Sequence, residues 1–123
     1  CLGMQMLLET SEEHGFHKGL GLIPGNVIRF PNKSGYKIPQ IGWNTIKHTH
    51  HPIFAGIPPD SYVYFVHSYY VNTLDEFSIA KTDYILPYTS AVANGNIMGV
   101  QFHPEKSGNV GLKILHNFIS MIE

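Results

Sequence analysis

Between Ser61 and Tyr70 nearly every side chain favours a strand: Tyr62, Val63, Tyr64, Phe65, Val66, Tyr69 and Tyr70 are aromatic or β-branched and fit a pleated, half-buried surface. A run this apolar suits a sheet interior, so the rest of the chain must supply neighbouring strands and a core. Phe77 to Thr82 reads as a further strand. Ala91 to Ala93, then Asn94-Gly95, then Ile97 to Phe102 spell a hairpin whose Asn-Gly pair suits a type I′ turn. Asn26 to Phe30, between the glycine-punctuated Gly19 to Gly25 and a turn at Pro31 to Gly35, reads as part of another hairpin. Lys37 to Trp43 is a shorter extended piece, and Pro52 to Ile57 a single helical turn before Pro58-Pro59.

Helical periodicity is confined to the two ends. Met4, Leu7 and Leu8 at i, i+3, i+4 predict a helix from about Leu2 to Glu9, and Leu112, Leu115, Ile119 and Ile122 form one stripe of an amphipathic helix over Val110 to Ile122. Strands between an opening and a closing helix imply α/β or α+β with a mixed sheet. A doubly wound parallel sheet would need more crossover helices than the segment supplies.

At 123 residues, 43% of them hydrophobic, the chain is the size of one globular domain, residues 1–123. Eight basic and nine acidic residues nearly cancel, so there is no electrostatic footprint for nucleic acid or an anionic membrane. No apolar run is long enough to cross a bilayer. One cysteine cannot form an internal disulfide, which fits a reducing cytoplasm.

That cysteine, Cys1, precedes the first predicted helix. A helix N-terminus lowers a thiol pKa, and the thiolate is the nucleophilic form. Gly3 suits a tight elbow at which substrate must approach backbone. About a hundred residues later stands His103-Pro104-Glu105. Imidazole is the unperturbed base closest to neutrality, and Glu105, two residues on in an extended stretch, can share its face and hold its tautomer. Cys1, His103 and Glu105 are therefore a candidate nucleophile, base and orienting carboxylate. Cys1 alone reads equally well as a small buried residue. His48, His50 and His51 lack a cysteine or carboxylate at ligand spacing and read as a solvent-facing loop. His67 reads as a site-lining or satisfied core histidine, and His14, His17 and His116 as surface residues.

Cys1-Leu2-Gly3-Met4-Gln5 followed by Gln101-Phe102-His103-Pro104-Glu105 resembles the triad framework of class I glutamine amidotransferases. Ile41-Gly42-Trp43-Asn44, Tyr64 to Tyr70, and Lys106-Ser107-Gly108 resemble, within that class, the glutaminase subunits of imidazole glycerol phosphate synthases of histidine biosynthesis. The resemblance implies an α/β fold with a mixed sheet. It also implies glutamine hydrolysis through a γ-glutamyl thioester, with ammonia passed to a (β/α)8 cyclase partner and no cofactor or metal. By position, it makes Gln5 and Glu13 glutamine-holding residues, Ser68 and Tyr69 part of the strand lining the site, and the Leu2 N–H an oxyanion donor. Trp43, Asn44, Tyr62, Tyr64 and Lys106 fall where the family meets its partner. Tyr62 and Lys106 read otherwise as a core aromatic and a surface lysine.

Family members carry a substantial segment before the nucleophile, including a strand and a glycine-containing loop with a second oxyanion donor. Against that pattern the chain looks like a C-terminal part with the N-terminal half missing, and it is expected to be marginally folded and a poor glutaminase alone. Three other readings stay open. A class I amidotransferase of another pathway would share the triad frame. An N-terminal-nucleophile amidotransferase would use the α-amino group of Cys1 as base and need no His-Pro-Glu. A non-catalytic remnant would keep only the partner-binding aromatics.

Overall fold

The computed structural model describes residues 2–122, and the backbone alone of Leu2. Two helices, α1 (Leu2–Gln5) and α2 (Gly108–Met121), flank nine strands. These are β1 (Leu8–Ser11), β2 (His17–Lys18), β3 (Ile23–Arg29), β4 (Gln40–His48), β5 (Ser61–His67), β6 (Tyr69–Asn72), β7 (Ser78–Tyr84), β8 (Leu86–Asn94) and β9 (Ile97–Val100). They form one mixed sheet in the order β2-β1-β3-β6-β8-β7-β4-β5, with β9 on β8. β1 and β3 are parallel and the other pairs antiparallel, so the α/β, mixed-sheet expectation holds.

The aromatic run is two strands broken at Ser68: β5 pairs with β4 and β6 with β3 and β8. β5 closes one end of the sheet instead of lying inside it. Its burial alternates: Val63, Phe65 and His67 face the core while Tyr62 and Val66 are exposed. Period-2 pleating splits a continuous apolar run between two faces, and composition alone does not show that one of them is open.

Other expectations shift for identifiable reasons. The opening helix is one turn, because Leu8 leaves it to pair with Ile23 in the sheet. Met4 and Leu8 still bury together with Ile23, Val27, Val71 and Val92. The predicted Asn26–Phe30 hairpin is absent, since β3 pairs with β1 and β6 and not with the following strand. The β8–β9 turn lies one residue later than Asn94-Gly95: Asn94 pairs with Ile97 across Gly95-Asn96. Gly95 has φ 62 and Asn96 is not in the left-handed region, which is the sign pattern of a type II′ turn rather than type I′.

The larger core gathers Phe30, Ile46, Phe54, Val63, Phe65, Phe102 and Ile114. Each is almost wholly removed from water, a burial that contributes about 1.5–3 kcal/mol per large apolar side chain. α2 docks on this core by Gly111, Ile114 and Asn117, not by the predicted stripe. Leu112, Leu115, Ile119 and Ile122 are exposed among the described residues. Two polar fits set the helix's rotation. Gly111 lies so close to the Pro104 carbonyl that a Cβ would sit 1.8 Å from its oxygen, and Asn117 Nδ2 donates to the carbonyls of Ile53 and Ala55 at 2.9 Å each.

Candidate active site

His103 precedes a 3-10 turn, Pro104–Lys106, in which proline occupies the first helical position, where its missing N–H costs nothing. The turn is tied to β5. His103 N–H donates to the Tyr64 carbonyl at 2.9 Å, and Ser107 Oγ donates to the His103 carbonyl at 2.6 Å while accepting the Tyr64 N–H at 3.0 Å. His103 Nδ1 lies 2.8 Å from Glu105 Oε1. The turn makes this contact, rather than the extended i, i+2 geometry expected from the sequence. With Nδ1–H donating to the carboxylate, Nε2 is the basic nitrogen of the ring. Partial burial opposes the Glu105 charge, but its own backbone N–H and the His103 contact outweigh that and hold its carboxyl below the usual range.

α1 packs against β9, with Met4 and Leu7 side chains on Gly99. This puts Gln5 beside the segment that carries the histidine. Gln5 Nε2 donates to Gln101 Oε1 at 3.1 Å, two residues before His103, and to the Tyr69 carbonyl at 3.2 Å. Gln5 and Glu13 line one cavity of about 230 Å³ together with Ser11, His14, His17 and Lys18. Ser68, Tyr69 and His103 are not among its lining residues. Tyr69 joins through its carbonyl bond to Gln5, and the Ser68 carbonyl accepts the Phe30 N–H at 3.0 Å. Leu2 opens α1. Cys1, the expected nucleophile, lies outside the described residues.

The expected partner-facing residues fall in three places. Trp43 and Tyr62 are exposed and Tyr64 half-buried on one face of the β4–β5 pair, with Trp43 opposite Tyr64 and edge-on to it at 5.9 Å. Ile41 and Val66, paired on the same face, extend it. Sequence reading passed over these two, although the period-2 parity of β5 points to Val66. Lys106 is exposed at the end of the His-Pro-Glu turn. Asn44 differs: as the next residue along β4 its side chain turns away from Trp43 and donates to Gln40 Oε1 and the Asp83 carbonyl. Gly42, between Ile41 and Trp43, has φ 129, a conformation open to glycine.

Among the remaining histidines, His67 is a satisfied core residue, 6% exposed and ringed by Phe30, Phe65 and Tyr88. His48 stacks on Phe54 and His51 Nδ1 accepts the Ile53 N–H, so these two are half-buried and structural, while His50 is exposed. His14, His17 and His116 are exposed, as expected. No group of three or more His, Cys, Asp or Glu among the described residues could hold a metal ion. No helix among them is long and apolar enough to cross a membrane.

Residues 1–121 match the family model described as glutamine amidotransferase class-I. Among curated proteins, the chain is 56% identical to the imidazole glycerol phosphate synthase subunit HisH of Methanosarcina mazei, covering 98% of this chain and 61% of that protein. It is 52% identical to HisH of Archaeoglobus fulgidus, covering 100% and 62%, and 50% identical to HisH of Lacticaseibacillus casei, covering 100% and 59%. It therefore spans less than two thirds of these relatives. Among solved structures, a putative GMP synthase subunit from Thermoplasma acidophilum superposes with a TM-score of 0.62 at 25% identity, over 79% of this chain and 48% of that one.

Proposed function

The chain belongs to the class I glutamine amidotransferase family, and from that premise we propose that it carries the glutaminase chemistry of an imidazole glycerol phosphate synthase in histidine biosynthesis. One observation carries the proposal: the 2.8 Å His103–Glu105 pair begins two residues beyond Gln101, whose side chain accepts from Gln5 near the start of the chain.

In the proposed reaction the Cys1 thiolate attacks the γ-carboxamide carbon of glutamine. The carbon–nitrogen bond breaks as His103 Nε2–H gives its proton to the departing nitrogen, releasing ammonia and leaving a γ-glutamyl thioester. Water, losing a proton to the now neutral His103, then cleaves the thioester to glutamate and regenerates the thiol. Glu105 holds the ring with Nε2 toward the reacting atoms and stabilises the imidazolium. The Leu2 N–H is assigned to the oxyanion.

Substrate recognition follows from what each cavity group has left to offer. Both hydrogens of the Gln5 carboxamide are committed within the protein, so Gln5 presents its Oε1 as an acceptor. With the Glu13 carboxylate it makes an acceptor-rich wall suited to an α-ammonium group. Ser68 and Tyr69 supply the adjoining wall. Ammonia is reactive as a nucleophile only unprotonated, so it is passed to a (β/α)8 cyclase partner rather than released to water. Trp43, Tyr62 and Tyr64 receive that partner on the β4–β5 face and Lys106 from the His-Pro-Glu turn tied to β5, with Asn44 behind the face. The HisH names of relatives 50–56% identical favour this pathway over others served by class I enzymes.

The test is covalent labelling of Cys1 by the glutamine-mimicking electrophile 6-diazo-5-oxo-L-norleucine. The expected result is modification that is lost in Cys1→Ala and greatly slowed in His103→Ala. In a chain extended before Cys1 to the length of the HisH relatives, labelling indifferent to His103 favours a partner-binding remnant. Extending the chain by one residue before Cys1 should leave labelling intact. Its abolition would favour a terminal-amine mechanism.

A further inference from the structure

Beneath the β4–β5 face runs a chain of hydrogen bonds, part-buried at its ends and buried at Gln40 and His67, whose direction can be read from one end. The Thr45 N–H donates to Asn44 Oδ1 at 2.8 Å, which fixes the Asn44 carboxamide with Nδ2 toward Gln40 Oε1 at 3.0 Å. Gln40 must then turn its NH2 inward, where it lies 2.8 Å from His67 Nε2 and 2.8 Å from the Tyr88 hydroxyl. An amide NH2 has no acceptor capacity. His67 Nε2 is therefore unprotonated and the ring's proton is on Nδ1, which donates to the Tyr69 carbonyl at 2.8 Å. That same carbonyl accepts from Gln5.

We propose that His67, locked as a neutral Nδ1–H imidazole from the Asn44 side, is a positioning residue that fixes the Tyr69 carbonyl and, through it, the orientation of the Gln5 carboxamide in the cavity wall. The inference rests on Gln5 being a glutamine contact. Reversing any link would bring two donors face to face in a site where Gln5, Gln40, His67 and Tyr88 are each 6% exposed or less, and where an unmatched polar group is most costly. The ring's low basicity agrees: burial lowers its pKa to about 4, although the Tyr69 bond acts the other way. His67 is not among the residues lining the cavity and stays outside the reaction itself.

Nitrogen-15 spectra of histidine-labelled chain read the tautomer directly. His67 is expected as Nδ1–H, and an Nε2–H form would overturn the proposal. Two variants test the consequence. His67→Asn keeps an amide N–H near the old Nδ1 position, whereas His67→Phe keeps bulk and removes the donor. The Gln5 side-chain amide is expected to exchange with solvent roughly five-fold faster in His67→Phe, and near the wild-type rate in His67→Asn. Equal behaviour of the two variants would overturn the positioning role. In labelling with 6-diazo-5-oxo-L-norleucine, His67→Phe should raise the half-saturating concentration by about five-fold with the saturating rate little changed. Absence of labelling in a chain extended before Cys1 to the length of the HisH relatives counts against the glutaminase reading, while the tautomer, read from the wild type alone, still decides whether His67 donates to Tyr69 even where a variant does not fold.

Discussion

The Ser107 hydroxyl stands between the Tyr64 N–H, which it accepts at 3.0 Å, and the His103 carbonyl, to which it donates at 2.6 Å. One 2%-exposed side chain thus fastens the His-Pro-Glu turn to the strand that carries the aromatic face. Ser107→Ala takes the acceptor from the Tyr64 N–H and leaves the His103 carbonyl with the Lys106 N–H alone, and should destabilise the chain by about 1–3 kcal/mol. Urea denaturation checks it, and an unchanged midpoint would mean that the turn is held by other contacts.

Gly111→Ala sets two effects against each other. Helix propensity favours alanine by about 1 kcal/mol, but its Cβ would meet the Pro104 carbonyl oxygen at 1.8 Å. That overlap is with backbone, so α2 or the turn must move, at a cost of about 1–3 kcal/mol or more. Net destabilisation is expected, with His103-dependent labelling slowed as the turn shifts. A raised melting temperature would show that the close approach is absent.

Glu105→Gln keeps the shape of the orienting group and removes its charge. With the imidazolium unsupported and the tautomer released, Cys1 labelling should slow by roughly ten-fold or more. Glu105 is largely exposed, so thermal stability should be little altered. Equal labelling rates in variant and wild type would remove Glu105 from the mechanism.

Burial of His67 predicts an acid-sensitive fold. Its pKa falls to about 4 in the folded state against about 6.5 when unfolded. Between these values the unfolded chain binds a proton that the folded chain does not, so stability declines as pH drops through that window and is unaffected by this group above it. The full loss is about 3 kcal/mol. Denaturation midpoints should fall more steeply from about pH 6.5 to about pH 4 in the wild type than in His67→Asn, which has nothing to titrate. Parallel pH profiles would contradict the assignment.

Trp43→Ala and Tyr62→Ala remove exposed side chains and should change stability by less than about 1 kcal/mol. If the β4–β5 face receives the cyclase, each should weaken that complex by roughly ten-fold or more, as aromatic anchors do. Titration calorimetry with a (β/α)8 cyclase measures it, and unaltered affinity would move the interface elsewhere.

Local chemistry made some parts of this fold readable from the residues alone. The strand propensity of Ser61 to Tyr70, the periodicity of the last helix, the turn before Pro58 and the pairing of His103 with Glu105 each depend on neighbours within a few positions. Contacts between distant residues were not readable in this way. Leu112, Leu115 and Ile119 share a helical face, but the side that docks is chosen by Gly111 against Pro104 and Asn117 against two remote carbonyls. Leu8 continues a helical pattern, yet Ile23 takes it as a strand partner. Gln40, Asn44 and Tyr88 carry no motif, and only their convergence on His67 gives them a joint role.

The sequence by itself determined the chemical inventory: a thiol, an imidazole with a carboxylate two residues on, an aromatic strand, and the family to which these belong. Side-chain identity and short-range spacing suffice for that. The tertiary structure decided which side of α2 docks, which face of β5 is open, and how Gln5 is joined to Tyr69 and Gln101. Those outcomes depend on hydrogen bonds and close packing between separate elements, 60 or more residues apart for Gln5 and for Asn117, where every buried donor must find its acceptor at once.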